Sequence, residues 1–166
     1  MGRRVKTILG FARTHSNPHP APMHTIDHTI EVLDTLLRGE LSAIETYSHA
    51  IHKFPGSTAE NDLQDMRTDH LESVETLREL ISDLGGNPST DSGPWGGFAK
   101  SVESVAALFG DSSAMSALKQ GEEHGVSEYE EALEDKSVDS EVKEVIREDL
   151  LPPLHEHIQT LASLTE

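Results

Sequence analysis

Apolar residues recur at alternating steps of three and four from Ile26 onward, the spacing that places them along one face of an α-helix. The first such stripe occupies residues 26–54 and the second residues 63–84. Each stripe is followed by a pair that terminates helices, Pro55-Gly56 or Gly85-Gly86. The pattern therefore predicts two long amphipathic helices in the first half of the chain.

The segment after the second stripe, GGNPSTDSGPWGG at residues 85–97, consists mostly of turn-forming residues. It is too long for a hairpin loop and predicts a crossover between the second and third helices. Trp95 is its only large apolar residue, and we expect that side chain to close one end of a bundle. Ahead of the second stripe, Ser57 and Glu60 have the spacing of a capping box, which predicts a helix start there.

Two further stripes predict helices in the second half of the chain. A short apolar segment at residues 98–109 precedes the third helix, which begins with Asp111 as its N-cap. The fourth helix begins near Ser140 and contains Pro152-Pro153. Because proline removes a backbone donor and clashes with the preceding turn, we expect this helix to kink or restart near Leu150.

Four helices of about 25 residues, roughly 37 Å long each, predict an all-α four-helix bundle with a long crossover. We assign residues 26–166 to this bundle. Residues 1–25 differ in kind, because they include four Lys and Arg residues and all 30 acidic residues follow them. We interpret this segment as a basic, flexible extension, either an interaction tail or a stretch upstream of a true start at Met23.

The composition narrows the possible chemistry. The chain has 166 residues, a formal net charge of −17 and no cysteine. Thiolate nucleophiles, disulfides and sulfur-ligated metal sites are therefore excluded, so any metal must bind to oxygen and imidazole. The acidic balance disfavours nucleic acid and anionic membranes, and no apolar run approaches the roughly 20 residues that span a bilayer. No nucleophile motif or phosphate-binding glycine loop occurs in the sequence. We expect the protein to be cytoplasmic and to form a homodimer.

Each of the four stripes contains one polar residue, capable of binding metal, where an apolar residue is expected. The four are Glu40, His70, Glu122 and His157, one on each helix. Burying a lone carboxylate costs several kcal/mol unless a cation, a hydrogen-bond partner or a proton compensates. One divalent ion explains all four residues, and mixed imidazole and carboxylate ligands suit iron, manganese or zinc. His155 competes with His157 for the inward position, because the prolines can rotate the helix phase.

A short motif is repeated in the first and third helices. GELSAIETY at residues 39–47 and GEEHGVSEY at residues 121–129 share Gly-Glu, a small residue at the fifth place and Tyr at the ninth. Tyr47 and Tyr129 each lie seven residues, or two helical turns, beyond their glutamate and on the same face. The repeat indicates that the two helices are copies of one another.

The chain resembles the ferritin-like carboxylate bundles, in which helices with Glu and a Tyr seven residues later alternate with helices that carry an inward His. It is more similar to bacterial ferritin-like domains of unknown function, which share LGG-P after the second helix and GE…Y..AL in the third. Here these motifs are LGGNP at residues 84–88 and GEEHGVSEYEEAL at residues 121–133. The resemblance covers roughly residues 26–164. It implies a ferritin-like fold and a role in metal handling or in protection from oxidative stress.

The sequence departs from the iron-oxidising members of this group at two positions. Those members carry Glu-x-x-His on the second and fourth helices, whereas Arg67 and Leu154 stand three residues before His70 and His157. Two of six expected ligands are therefore missing. A single ion bound by the four inward residues is our first hypothesis, ahead of a dinuclear oxidase or peroxidase centre.

Arg67 also supports a rival hypothesis. A guanidinium turned inward would pair with Glu40 or Glu122 and replace the charge of the metal. The bundle would then bind no metal and would have a structural or self-association role.

Overall fold

The computed structural model describes residues 23–53, 55–56, 58–97 and 111–165. Its elements are α1 (Met23–Lys53), α2 (Thr58–Asp83), a 3₁₀ helix (Gly93–Gly97), α3 (Asp111–Glu134), α4 (Ser140–Val145), a π-helical turn (Ile146–Leu150) and α5 (Leu151–Ser163). α4, the π-helical turn and α5 together form the fourth helix of the bundle. Ser57 and the predicted segment at residues 98–109 lie outside the described residues. None of the described helices is both long enough and apolar enough to cross a bilayer.

Two clusters of buried apolar side chains show in which direction each helix runs. The first cluster includes Leu33, Leu37, Leu77, Ile81, Val126 and Leu154. The second cluster includes Tyr47, Leu63, Met66, Leu118 and Leu161. α1 and the fourth helix run from the first cluster to the second, whereas α2 and α3 run the opposite way. The chain must therefore travel the length of the bundle between α2 and α3, which confirms the predicted crossover.

The fourth helix is interrupted where the prolines predict. The N–H of Leu151 bonds to the carbonyl of Ile146, five residues back, and the π-helical turn ends there. Pro152 and Pro153 then occupy the first turn of α5. Backbone N–H groups in a first turn have no acceptor within the helix, so the N–H that proline lacks costs no hydrogen bond there. At the other end, Asp139 caps α4 by accepting from the N–H of Glu141 at 2.8 Å.

The crossover lies along α1. Asp34 accepts hydrogen bonds from the backbone N–H and the hydroxyl of Ser89 at 2.8 and 2.6 Å. Further along α1, the hydroxyl of Ser42 donates to the carbonyl of Trp95 at 2.8 Å. The Trp95 ring lies 5.3 Å from the ring of His124 on α3. The prediction that Trp95 closes one end of the bundle is wrong, because these contacts hold it beside the middle of α1.

The turn after α2 offers a stability test. A Cβ atom at Gly86 would lie 2.8 Å from the Cγ2 atoms of Ile30 and Ile81 and 3.1 Å from the Ile81 carbonyl. We therefore expect Gly86→Ala to lower the free energy of unfolding by about 1–3 kcal/mol, through overpacking. At Gly97, where a Cβ would contact nothing, the same change should stay within about 0.5 kcal/mol. Equal urea midpoints for the two variants would contradict this prediction.

Candidate metal centre

A layer of polar side chains separates the two apolar clusters at the middle of the bundle. It contains Glu40, His70, Glu122 and His157, which are only 3–4% exposed. Each lies three or four residues from a buried apolar residue of its own helix, so it falls on the buried face. The structure therefore brings together the four residues that the sequence analysis selected.

His70 is the centre of this polar layer. Its Nδ1 lies 2.6 Å from Glu40 Oε2, and its Nε2 lies 3.0 Å from Glu122 Oε1. Burial disfavours a charge on the ring, but the carboxylates of Glu122 and Glu40 outweigh burial and raise the pKa of His70 to about 10. Burial acts to raise the pKa of Glu122, yet His70 and His157 hold it well below its usual value. In a metal-free protein, protonated His70 is therefore the counter-ion of both glutamates.

His157 contacts a carboxylate on each side of its ring. Its Nε2 lies 3.1 Å from Oδ2 of Asp69, whose side chain is 40% exposed. Its Nδ1 lies 3.4 Å from Glu122 Oε2, within ion-pair range. That contact lacks hydrogen-bond geometry, and neither atom has a hydrogen-bond partner among the described residues. Asp69 is not predicted from the sequence, in which its one signal is its place directly before His70.

The two tyrosines of the repeated motif connect α1 and α3 reciprocally. Tyr47 donates to Glu122 Oε1 at 2.5 Å, and Tyr129 donates to Glu40 Oε1 at 2.7 Å. Burial and the neighbouring glutamates raise the pKa of both hydroxyls well above the usual value, so both remain proton donors. The repeat thus encodes two equivalent glutamate–tyrosine pairs, each of which spans the bundle.

Three of the four inward residues direct potential ligand atoms to one point. These residues are His70, Glu122 and His157, and their ligand atoms lie within 4.8 Å of one another. Two atoms bound to one ion at about 2.1 Å lie roughly 3.0 Å apart in an octahedral site and 3.4 Å apart in a tetrahedral one. The observed separations are 3.0 Å between Glu122 Oε1 and His70 Nε2 and 3.4 Å between Glu122 Oε2 and His157 Nδ1. The three side chains are therefore close enough together to share one transition-metal ion.

Comparison with known proteins assigns the chain to a family. Residues 28–135 match the model described as Domain of unknown function (DUF2383). The chain belongs to this family. The DUF2383 match includes Glu40, His70 and Glu122 and ends before His157.

The fold has a match among solved structures. A protein described as ferritin like, diiron-carboxylate, from Bacillus anthracis, has a TM-score of 0.68 and 22% sequence identity to this chain. The match covers 86% of this chain and 99% of that one. This DUF2383 protein thus has the ferritin-like fold that its motifs suggested. No curated protein matches its sequence at a significant level.

The remaining sequence predictions concern Arg67, Leu154 and His155. Arg67 Nε donates to Ser48 Oγ at 2.7 Å, and the ion pairs described for Glu40 and Glu122 involve histidines instead. The inward guanidinium of the rival hypothesis is therefore not found at these glutamates. Leu154 is buried in the first apolar cluster. His155 is exposed, so His157 is the inward histidine of α5.

Proposed function

We propose that this DUF2383 protein binds one divalent transition-metal ion through His70 Nε2, a carboxylate oxygen of Glu122 and His157 Nδ1. One observation carries the proposal. Glu122 Oε2 and His157 Nδ1 are buried, face each other at 3.4 Å and have no hydrogen-bond partner among the described residues. Since an unsatisfied buried acceptor is costly, two of them side by side favour a shared cation.

Two further carboxylates support this assignment. Histidines that bind metal usually donate their second ring N–H to a carboxylate, which sets the tautomer and the ring orientation. Glu40 faces Nδ1 of His70, and Asp69 faces Nε2 of His157, so each proposed ligand histidine has such a partner. The sequence pattern predicts Glu40 as a fourth ligand. We propose instead that Glu40 and Asp69 position the two histidines.

This ligand set favours iron, manganese or zinc. Two imidazoles and one carboxylate leave coordination positions for other molecules, as in many non-haem iron and zinc sites. The bound ion would supply Lewis acidity and, if it is iron or manganese, redox chemistry. The tyrosines would hold the carboxylates in place by hydrogen bonds, and the surrounding apolar clusters would limit the access of water. We propose metal handling or protection from oxidative stress as the cellular role, by analogy with ferritin-like proteins.

Elemental analysis tests whether the protein binds a metal ion at all. The full chain is purified without chelator and without a histidine tag, and its metals are quantified by mass spectrometry. About one transition-metal ion per chain is expected, and dialysis against chelator followed by reloading should restore the same ratio. A chain that neither retains nor takes up an ion would overturn the proposed function.

Asp69 allows a sharper test of how the histidines are held. Asp69→Asn should weaken metal binding by about 10- to 100-fold, because His157 loses the carboxylate that fixes its Nδ1 as the free acceptor. Asp65→Asn, one turn earlier on the exposed face of α2, is the matched control and should leave the affinity unchanged. Competition with a chromophoric chelator measures both variants. Equal affinities would remove Asp69 from the site.

A further inference from the structure

A cavity separates α1 from α3 beside the polar layer. It has a volume of about 310 Å³, which is at the lower end of the size range of small-molecule sites. Trp95 of the crossover contributes one wall, and His124 and Glu128 of α3 contribute others. The ring contact between Trp95 and His124 places the crossover at the edge of this space.

The repeated motif lines the cavity. Its Gly, small residue and Tyr follow at steps of four, so they share one face of each helix. All six of these residues line the cavity: Gly39, Ala43, Tyr47, Gly121, Gly125 and Tyr129. Four of the six have a methyl side chain or none, and the side chains of Glu128 and Leu154 approach to 3.3 and 3.0 Å of where Cβ atoms at Gly39 and Gly125 would lie. The motif therefore shapes the walls of the cavity as well as placing the glutamates.

The inner wall of the cavity is the polar layer itself. Glu40, His70 and Glu122 line it, together with the apolar side chains of Leu118 and Leu154. A molecule in the cavity would thus contact apolar walls over most of its surface and the carboxylates of the polar layer over the rest. Glu128 adds a third acidic group, which is only 17% exposed. Such surroundings disfavour an anion, because its charge would be desolvated next to like charges.

We propose that the cavity between α1 and α3 binds a small, uncharged and largely apolar organic molecule, of the size of a substituted benzene, with its polar group against Glu40 and Glu122. The apolar walls supply the binding free energy, and the carboxylates accept a hydrogen bond from the polar group. The cavity shares Glu122 and His70 with the proposed metal site, but binding of the molecule does not require the ion. Occupancy would nevertheless place the molecule next to Glu122 and His70, two of the proposed ligands.

Benzyl alcohol and benzoate form a matched pair of probes, because they have similar size and differ in charge. Trp95 is the single tryptophan of the chain, so its fluorescence reports on the cavity wall, and saturation-transfer NMR gives an independent signal. Benzyl alcohol should bind saturably to the chelator-treated full chain, and benzoate should bind about tenfold more weakly or worse. Absence of saturable binding, or equal binding of the two probes, would overturn the proposal.

Filling the cavity tests where the probe binds. Ala43→Leu should weaken the binding of benzyl alcohol by about tenfold, whereas Ala162→Leu, a partly buried helical position outside the cavity, should not. If Ala43→Leu does not fold, Trp95→Ala removes a wall and should weaken binding about threefold by NMR. Unchanged affinity in the variant that folds would place the probe elsewhere and overturn the proposal.

Metal content separates this inference from the proposed function. Ala43→Leu leaves every proposed metal ligand in place, so it should retain the metal stoichiometry of the parent. A chain that binds the probe but neither retains nor takes up metal would overturn the metal site alone, and a chain that takes up metal but does not bind the probe would overturn the cavity ligand alone.

Discussion

Replacing Glu122 with glutamine is expected to abolish stoichiometric metal binding. Among the described residues, Glu122 alone has a carboxylate that faces both candidate ligand histidines, at 3.0 and 3.4 Å, and it also accepts from Tyr47. An amide keeps the size of the side chain but loses the negative charge that a divalent ion requires. We expect the affinity to fall by more than about 1,000-fold, well beyond the effect of losing a positioning residue.

Glu40→Gln tests whether Glu40 is a metal ligand or a residue that positions His70. Because Glu40 contacts Nδ1 of His70, on the ring edge away from Glu122, its loss should weaken binding by only about 10- to 100-fold. Glu123→Gln, next to Glu122 on the exposed side of α3, should bind metal as the parent does. Calorimetric titration and metal analysis measure all three. Full retention of metal by Glu122→Gln would refute the proposed ligand set, and complete loss in Glu40→Gln would restore Glu40 as a ligand.

The stability of the metal-free protein should fall markedly as the pH rises above 6.5. Burial lowers the pKa of folded His70, but the two glutamates outweigh burial and place it at about 10, against 6.5 in the unfolded chain. A raised pKa gives stabilisation that is fully present below 6.5 and is lost as the pH rises through 10. Since one unit corresponds to about 1.4 kcal/mol, the expected loss is several kcal/mol. The lowered pKa of Glu122 acts oppositely, with stabilisation that is lost as the pH falls below its unfolded value of 4.5.

Urea unfolding of chelator-treated protein between about pH 6 and pH 10 measures this dependence. His70→Gln should remove most of the alkaline decline, whereas His124→Gln, at an exposed histidine on α3, should preserve it. If His70→Gln does not fold, NMR titration of the His70 ring in the parent protein gives the pKa directly. Metal-loaded protein should lose less stability, because a coordinated imidazole is already unprotonated. A pKa of His70 near 6.5 in the folded protein would contradict the account.

The fold was predictable because helical burial leaves a local signal. Steps of three and four identified the helices, and the prolines at 152 and 153 located the interruption of the fourth one. The same stripes identified four inward polar residues, since a polar side chain within an apolar stripe must be buried or break the pattern. Length and turn composition predicted the crossover, and the helix directions confirm it.

The contacts between helices were not predictable in the same way. Which ring nitrogen of His70 faces Glu122, and which glutamate each tyrosine meets, depends on the rotation of neighbouring helices about their axes. Asp69 occupies an ordinary, partly exposed helical position, so nothing in the stripe distinguishes it. Trp95 was misplaced because the hydrogen bonds that hold the crossover against α1 join residues 53 positions apart. Such pairings leave no periodic signal.

The metal-free alternative now has a specific physical form. Two buried glutamates with a protonated His70 between them carry one net negative charge without any ion, and the tyrosine hydroxyls donate hydrogen bonds to both carboxylates. Protonated His70, rather than Arg67, would be the cation in that state. Metal and proton would thus compete for His70, while Glu122 Oε2 and His157 Nδ1, which face each other at 3.4 Å without a hydrogen bond, favour the metal.

Anomalous X-ray diffraction at the absorption edge of the reloaded metal tests the central claim most directly. The account predicts one strong peak per chain, within bonding distance of His70 Nε2, Glu122 and His157 Nδ1 and not of Glu40. A crystal of reloaded protein with no peak in the polar layer, or with the peak at surface histidines, would contradict it.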